Sequence, residues 1–449
     1  MLVHPIEYRY FHPEMREIFT EERKLQRWLD VEAALARAHA AVGNIPKEAA
    51  EEIERKANVA HVSVERVKEI EKRTRHDVMA MVEALTEACE GEAKKYVHLG
   101  ATSYDIVDTA LALQLRSALE VLEEDLRELM RVLLDLAEEH RETVCIGRTH
   151  GQHALPTTYG MKFALWASDV ARHVERLREV KKRALVGKMS GAVGTMASFG
   201  EKGFEIQRLT MKFLGLSPVP IASQVVQRDR HAEVQCLLAL IAGTLEKMAK
   251  EIRNLQRTEI AEVFEPFARG QVGSSTMPHK RNPHRCERIC GLARVVRALV
   301  HPALETIALE HERDLTNSSV ERITIPEGFI LTDYMLRQMI GVLRGLEFNY
   351  ENIRRNLEMT LGLCLTERVM MELVKRGMGR QEAHEKLRRL AQRCWREGRS
   401  LKSVLLEDEE VMNLASEEEL DEWLDPRNYL GTAVEQVERV VRSLREAPP

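Results

Sequence analysis

Between Asp105 and Arg141 the chain carries Leu111, Leu115, Ala118, Leu122, Leu126, Leu129, Leu133 and Leu136 at spacings of three and four, with no Gly or Pro. That is the repeat of a helix with one apolar stripe. A helix of this length extends roughly 55 Å and needs lateral partners to bury the stripe. The pattern returns over about 158–186, 224–260, 285–312 and 327–361. It predicts at least five long central helices, not a sheet with short crossovers. Gly243, inside one of them, is read as a close-packing position whose propensity cost is about 1 kcal/mol relative to Ala.

Shorter amphipathic stretches flank this centre. Those at 21–42, 47–57, 63–73 and 76–89 predict a separate N-terminal unit, and GMGR at 377–380 and LDPRNYLG at 424–431 punctuate a further group near the C-terminus. The expected fold is all-α, with three helical domains at 1–108, 109–356 and 357–449.

Composition supports that reading and narrows the chemistry. Hydrophobic residues make up 44% and charged residues 31% of the 449, and 66 basic against 71 acidic residues give a net charge of -5. Such a balance gives no general reason to expect a nucleic-acid partner. The seven cysteines are odd in number and form no CxxC pair, as expected of reduced thiols in the cytoplasm. No stretch approaches 18 uncharged apolar residues, and MLVHPIEYRYFHPEM lacks the form of a secretory signal; no membrane association is expected.

Candidate chemistry sits where helical grammar breaks. GSSTMPHKRNP, 273–283, gathers hydroxyls, a histidine, two cations and two prolines. Glycine and proline make it a loop, whose backbone donors with Lys280 and Arg281 suit a small anion, although composition alone equally allows a plain surface loop. GRTHGQH, 147–153, lies between two predicted helices, and an imidazole at a helix end can serve as a general acid or as a cap. TRHD at 74–77 and HLGATSYD at 98–105 are similar polar ends. Gln224 in SQVVQRDRH and Arg313, Ser318, Ser319 and Arg322 in ERDLTNSSVER, with Arg9 and Tyr10, suit phosphate or carboxylate, or ordinary helix-boundary ion pairs. HExxH, Rossmann and Walker motifs are absent, so metal, nicotinamide and nucleotide-triphosphate chemistry are disfavoured; the glycine-rich 187–203 is weak evidence for a phosphate cradle.

GSSTMPHKRNP resembles the signature loop of the fumarase/aspartase superfamily. With RTHGQHA, TRHDV, HLGATSYDIVDTA and QVVQRDRHAE in the same order, the chain is most similar to the adenylosuccinate lyase branch along almost its whole length. Tyr104 stands where threonine is common in that branch. The resemblance implies a homotetramer with a composite helical core, active sites drawn from three subunits, and no metal or organic cofactor. It implies cleavage of adenylosuccinate to AMP and fumarate, and of the related succinylated carboxamide ribotide to aminoimidazole carboxamide ribotide and fumarate. In those terms Ser274 is the catalytic base, His150 the general acid and Glu287 its orienting carboxylate. Lys280 and Asn282 hold the succinyl portion, with Thr102 and Ser103 at its carboxylate. Arg9, Tyr10, Arg313, Ser318 and Arg322 face the phosphate, His76 and Gln224 position substrate, and His98 and Thr149 support the histidine network. The alternatives are a carboxymuconate cycloisomerase of the same superfamily, which RTHGQHA and TRHDV disfavour, and a non-catalytic helical oligomer.

Overall fold

The computed structural model describes residues 3–268 and 270–446. The longest apolar stripe forms one 37-residue helix, Ser103–Glu139, in which Leu115, Leu122, Leu126, Leu129 and Leu133 are buried. Asp105 in its first turn accepts the Thr102 N–H at 2.9 Å, which places a negative charge where the helix leaves its donors unpaired. The other long helices are Tyr159–Ala184, Asp229–Leu255, His284–Ala298 and Thr316–Arg344. Short helices dominate the rest, so the fold is all-α.

Three of the predicted helices have different ends, and the one expected over 224–260 is shortened to Asp229–Leu255. The one expected over 285–312 stops at Ala298, resumes only as Val300–Glu305, and gives way to irregular chain before Thr316. The one expected over 327–361 spans Thr316–Arg344 instead. There Gly345 packs against Pro266 so closely that a Cβ would lie 2.7 Å from the proline ring, and Glu347–Phe348 pairs antiparallel with Val263–Phe264. Strand pairing thus ends the helix where periodicity alone would extend it. Gly243 is also corrected: a Cβ there would meet nothing within 4 Å.

The chain divides into two compact units, Met1–Leu126, Arg172–Leu245 and Gly291–Arg337 in the first, and Arg127–Ala171, Glu246–Cys290 and Gln338–Pro449 in the second. The first holds a core built on Trp28, Leu29, Leu35, Ile53, Met81 and Leu85. Within the second, a separate core made by Val369, Leu373, Leu387, Val404, Leu420 and Trp423 falls wholly in the C-terminal group of helices.

The segment between the first two long helices is an antiparallel hairpin, Val144–Thr149 with Gln152–Thr158. Its two turn residues, His150 and Gly151, have φ of +53° and +75°, as a two-residue hairpin turn requires. His150 therefore stands on a hairpin tip and not at a helix end. The register slips between Ile146 and Arg148, and a Cβ on Gly147 would press to 2.9 Å of the Leu155 carbonyl.

Candidate active site

The second unit holds the residues expected to do chemistry. Ser274 lies in irregular chain, and its Oγ accepts the N–H of Met277 at 3.0 Å and of Thr276 at 3.3 Å. Two donors on one hydroxyl oxygen favour its alkoxide, while the same contacts also fix the turn. Gly273 is sterically required, because a Cβ would stand 1.8 Å from the Lys280 carbonyl oxygen. Asn282 Nδ2 donates to the Gly273 carbonyl at 2.7 Å, so the start and end of the motif close on each other. Lys280 is exposed.

Behind the loop, Gln256 donates to the Arg281 carbonyl at 3.0 Å and accepts the Glu265 N–H at 2.9 Å. Buried Glu265 accepts the N–H groups of Arg285 and Cys286 at 3.2 and 3.1 Å. It thereby caps the helix that follows the loop and fixes the loop's exit.

Thr149 and His150 are exposed at the hairpin tip, and the His150 imidazole has no hydrogen-bond partner among the described residues. The strand leading to it is held by buried Glu262, which pairs with Arg148 and accepts the Tyr159 hydroxyl at 2.5 Å and Asn356 Nδ2 at 2.8 Å. Burial, reinforced by the Glu262 charge, pushes the Tyr159 phenol well up, so it stays a donor. Glu287 is exposed in the first turn of His284–Ala298. Among the described residues no hydrogen bond joins Ser274, His150 and Glu287 to one another.

The first unit holds the other residues expected to bind substrate, Lys280 and Asn282 lying in the second, and it brings several together. His76 Nδ1 accepts the Met79 N–H at 3.3 Å, capping the helix Asp77–Ala88. The proton therefore sits on Nε2, which faces Ser103 Oγ at 3.4 Å. Beside it Arg322 pairs with Asp77 at 2.6 Å. Gln224 donates to the Ala192 carbonyl and accepts Arg313 Nη1, both at 2.9 Å. The Arg313 guanidinium lies 3.6 Å from the centre of the Tyr104 ring, and its buried Nε has no hydrogen-bond partner among the described residues. Tyr104, Ser318 and Arg322 share the wall of a cavity of about 290 Å³ with Asp77, Trp28 and Val67.

Arg9 and Tyr10 are placed differently. Tyr10 packs against the Tyr334 ring at 5.7 Å, with the Arg9 guanidinium 5.6 Å from the Tyr10 ring, and no hydrogen bond among the described residues links either to Arg313, Ser318 or Arg322. His98 is held by buried Glu32, through its N–H at 3.1 Å and its Nδ1 at 2.6 Å. Burial works to lower the His98 imidazole, but Glu32 outweighs it and the net shift is upward.

Several supports escaped sequence reasoning. Asp105 takes Lys188 Nζ at 2.5 Å and the Ser190 N–H at 2.9 Å, and Asp108 takes both terminal nitrogens of Arg228 at 2.8 and 3.1 Å. All four side chains are buried. Arg228 also approaches Glu321. Burial would raise the Glu321 carboxyl, yet His231 and Arg228 bring it down to about 2. The available signal was SYDIVDTA: Asp105 and Asp108, three apart on an apolar helix face, had to find buried cations. In EVFEPF, Glu262 and Glu265 sat in a similarly apolar run.

A family model described as lyase matches residues 7–298, and one described as adenylosuccinate lyase C-terminus matches residues 362–440. The adenylosuccinate lyases of Pyrococcus abyssi and Pyrococcus horikoshii are 59% and 60% identical to this chain, in each case over 99% of both proteins. Among solved structures, the 3-carboxy-cis,cis-muconate lactonizing enzyme of Pseudomonas putida superposes with a TM-score of 0.90 at 38% identity, covering 98% of each chain.

Proposed function

This chain belongs to the adenylosuccinate lyase family of the fumarase/aspartase superfamily, and on that footing we propose that it cleaves adenylosuccinate to AMP and fumarate. By the same β-elimination it takes fumarate from succinylaminoimidazole carboxamide ribotide and leaves aminoimidazole carboxamide ribotide, two steps of purine biosynthesis. One observation carries the choice of branch. The lactonizing enzyme shares the fold over nearly its full length, yet its identity is 38% against 59–60% for the adenylosuccinate lyases.

In the proposed reaction Ser274, as alkoxide, takes a proton from the succinyl carbon beta to the departing nitrogen. The C–H electrons move into the neighbouring carboxylate as an aci-carboxylate. They return to form the fumarate double bond as the C–N bond breaks, and His150 delivers a proton to the nitrogen. The Thr276 and Met277 N–H groups support the Ser274 anion. Glu287 orients His150, which Thr149 flanks. Lys280, Asn282, Thr102 and Ser103 hold the succinyl carboxylates, and the Ser103–His76 contact supports a shared location for those two residues. Arg9, Tyr10, Arg313, Ser318 and Arg322 face the phosphate, Gln224 positions Arg313 or substrate, and His98 supports the histidine network. Phosphate binding remote from the scissile bond aids turnover by aligning that bond.

We place these residues in a homotetramer whose sites draw on three subunits. Leu165, Leu240, Val295 and Ile323, on four of the long helices, are 59%, 51%, 42% and 60% exposed in the single chain. Apolar side chains along long helix faces call for burial in an assembly. Of the three proposed domains at 1–108, 109–356 and 357–449, the last is supported by its own core. No described helix is long and apolar enough to cross a membrane, and the seven free thiols suit the proposed cytoplasmic location.

The test is an assay of assembled protein in chelator, with products identified, on adenylosuccinate and carboxymuconate in parallel. Equimolar AMP and fumarate from the first, and no lactone from the second, are expected. Absence of cleavage across a broad range of pH and temperature would overturn the assignment.

A further inference from the structure

Tyr104 is given no role in the elimination itself, yet Arg313 of the proposed phosphate side is seated on its ring. It follows Ser103 in the first turn of Ser103–Glu139 and is 6% exposed. The Arg313 guanidinium lies over its ring at 3.6 Å, Arg228 stands 5.8 Å from the ring centre, and Ser318 lines the same cavity. Arg228 is immobilised by both oxygens of Asp108, so the ring rests against a fixed background.

A guanidinium is flat and presents its donors along its edge. Seated on an aromatic face, it can no longer tilt, and the edge alone stays available. On Arg313 one edge nitrogen, Nη1, is committed to Gln224, and buried Nε has no partner among the described residues. Nε with Nη2 forms the edge suited to two oxygens of one phosphate. We infer that Tyr104 is a positioning residue, its ring holding the plane of Arg313 so that the substrate phosphate meets a preformed receptor. This rests on the phosphate-side reading of Arg313 and Ser318 given above. The phosphate receptor is thereby tied through the ring to the same helical turn that carries Ser103.

The test compares Tyr104→Phe with Tyr104→Leu, measuring kcat and KM for adenylosuccinate and competitive inhibition by AMP and by adenosine, which lacks the phosphate. Loss of the ring is expected to raise KM and the AMP inhibition constant about 5- to 30-fold and to lower kcat through poorer alignment of the C–N bond, with inhibition by adenosine changed less than about threefold. Tyr104→Phe, which keeps the ring, is expected to restore both constants to within about threefold of the native protein. Unchanged constants in Tyr104→Leu would overturn the inference. So would equal weakening of AMP and adenosine, or a phenylalanine variant as impaired as the leucine one. If the leucine chain does not assemble, Tyr104→Met fills the space without an aromatic face and carries the same expectation. A native protein that leaves adenylosuccinate uncleaved would instead defeat the lyase reading, whatever the variants do.

Discussion

Ser274 and His150 are held in unlike ways. Ser274 receives two backbone N–H groups within its own turn, while His150 projects, without a hydrogen-bond partner among the described residues, from a hairpin whose strand is pinned by Glu262. Ser274→Ala and His150→Gln are each expected to lower kcat by about 10³-fold or more without changing assembly, measured by steady-state fumarate release. Near-native turnover in both would remove their chemical roles. Glu262→Gln leaves Arg148 and Tyr159 without their carboxylate, and by misplacing the hairpin it is expected to cost about 10- to 100-fold in kcat. Full activity in that variant would mean that the tip does not depend on this anchor. Ser274 and His150 were legible because both stand where helical spacing fails. Glu262 was not, since its partner Arg148 is 114 residues away in the chain and no local pattern joins them.

Elements were legible in proportion to the length of their periodicity. Ser103–Glu139 repeats its apolar spacing over 37 residues, but the hairpin strands have six and seven residues with a register slip that breaks their alternation. Its turn had one available mark, a glycine after His150. With φ at +75° and open space around it, Gly151→Ala is expected to cost about 1 kcal/mol through backbone strain alone. The helix Thr316–Arg344 carries a second testable device. Arg337 meets Asp125 at 3.0 Å, Asp333 at 3.1 Å and Glu14 at 2.7 Å. Burial first, and Asp125 next, push the Asp333 carboxyl up to about 8 from an ordinary 3.8. The folded chain thus keeps a proton that the unfolded chain has released, and this contribution to stability falls as pH rises from about 4 towards 8. Asp333→Asn removes the titration. Its melting temperature at pH 8 is expected to exceed that of the native chain by about 2 °C or more, with a smaller difference at pH 5. Parallel pH profiles for the two proteins would contradict this.

For the whole molecule, the sequence carried a helical bundle and a need for burial, but a stripe does not say which faces meet the same chain and which meet another. The exposure of Leu240 in the single chain makes it a candidate for the second kind. On the proposed tetramer, Leu240→Glu is expected to dissociate the assembly in sedimentation experiments and to lower activity at least about tenfold. An intact, active assembly would place that face in solvent. If Ser274 and His150 reach each site from different subunits, mixing and reassembling the two inactive variants is expected to restore about a quarter of native activity. No recovery after verified exchange would put both groups on one subunit.

The most direct measurement is the crystal structure of assembled Ser274→Ala protein with adenylosuccinate bound. The expected result places the His150 imidazole within about 3.2 Å of the departing nitrogen, with residue 274 facing the succinyl C–H on the other side. A closed, occupied site in which both residues remain distant from the C–N bond would contradict the proposed chemistry.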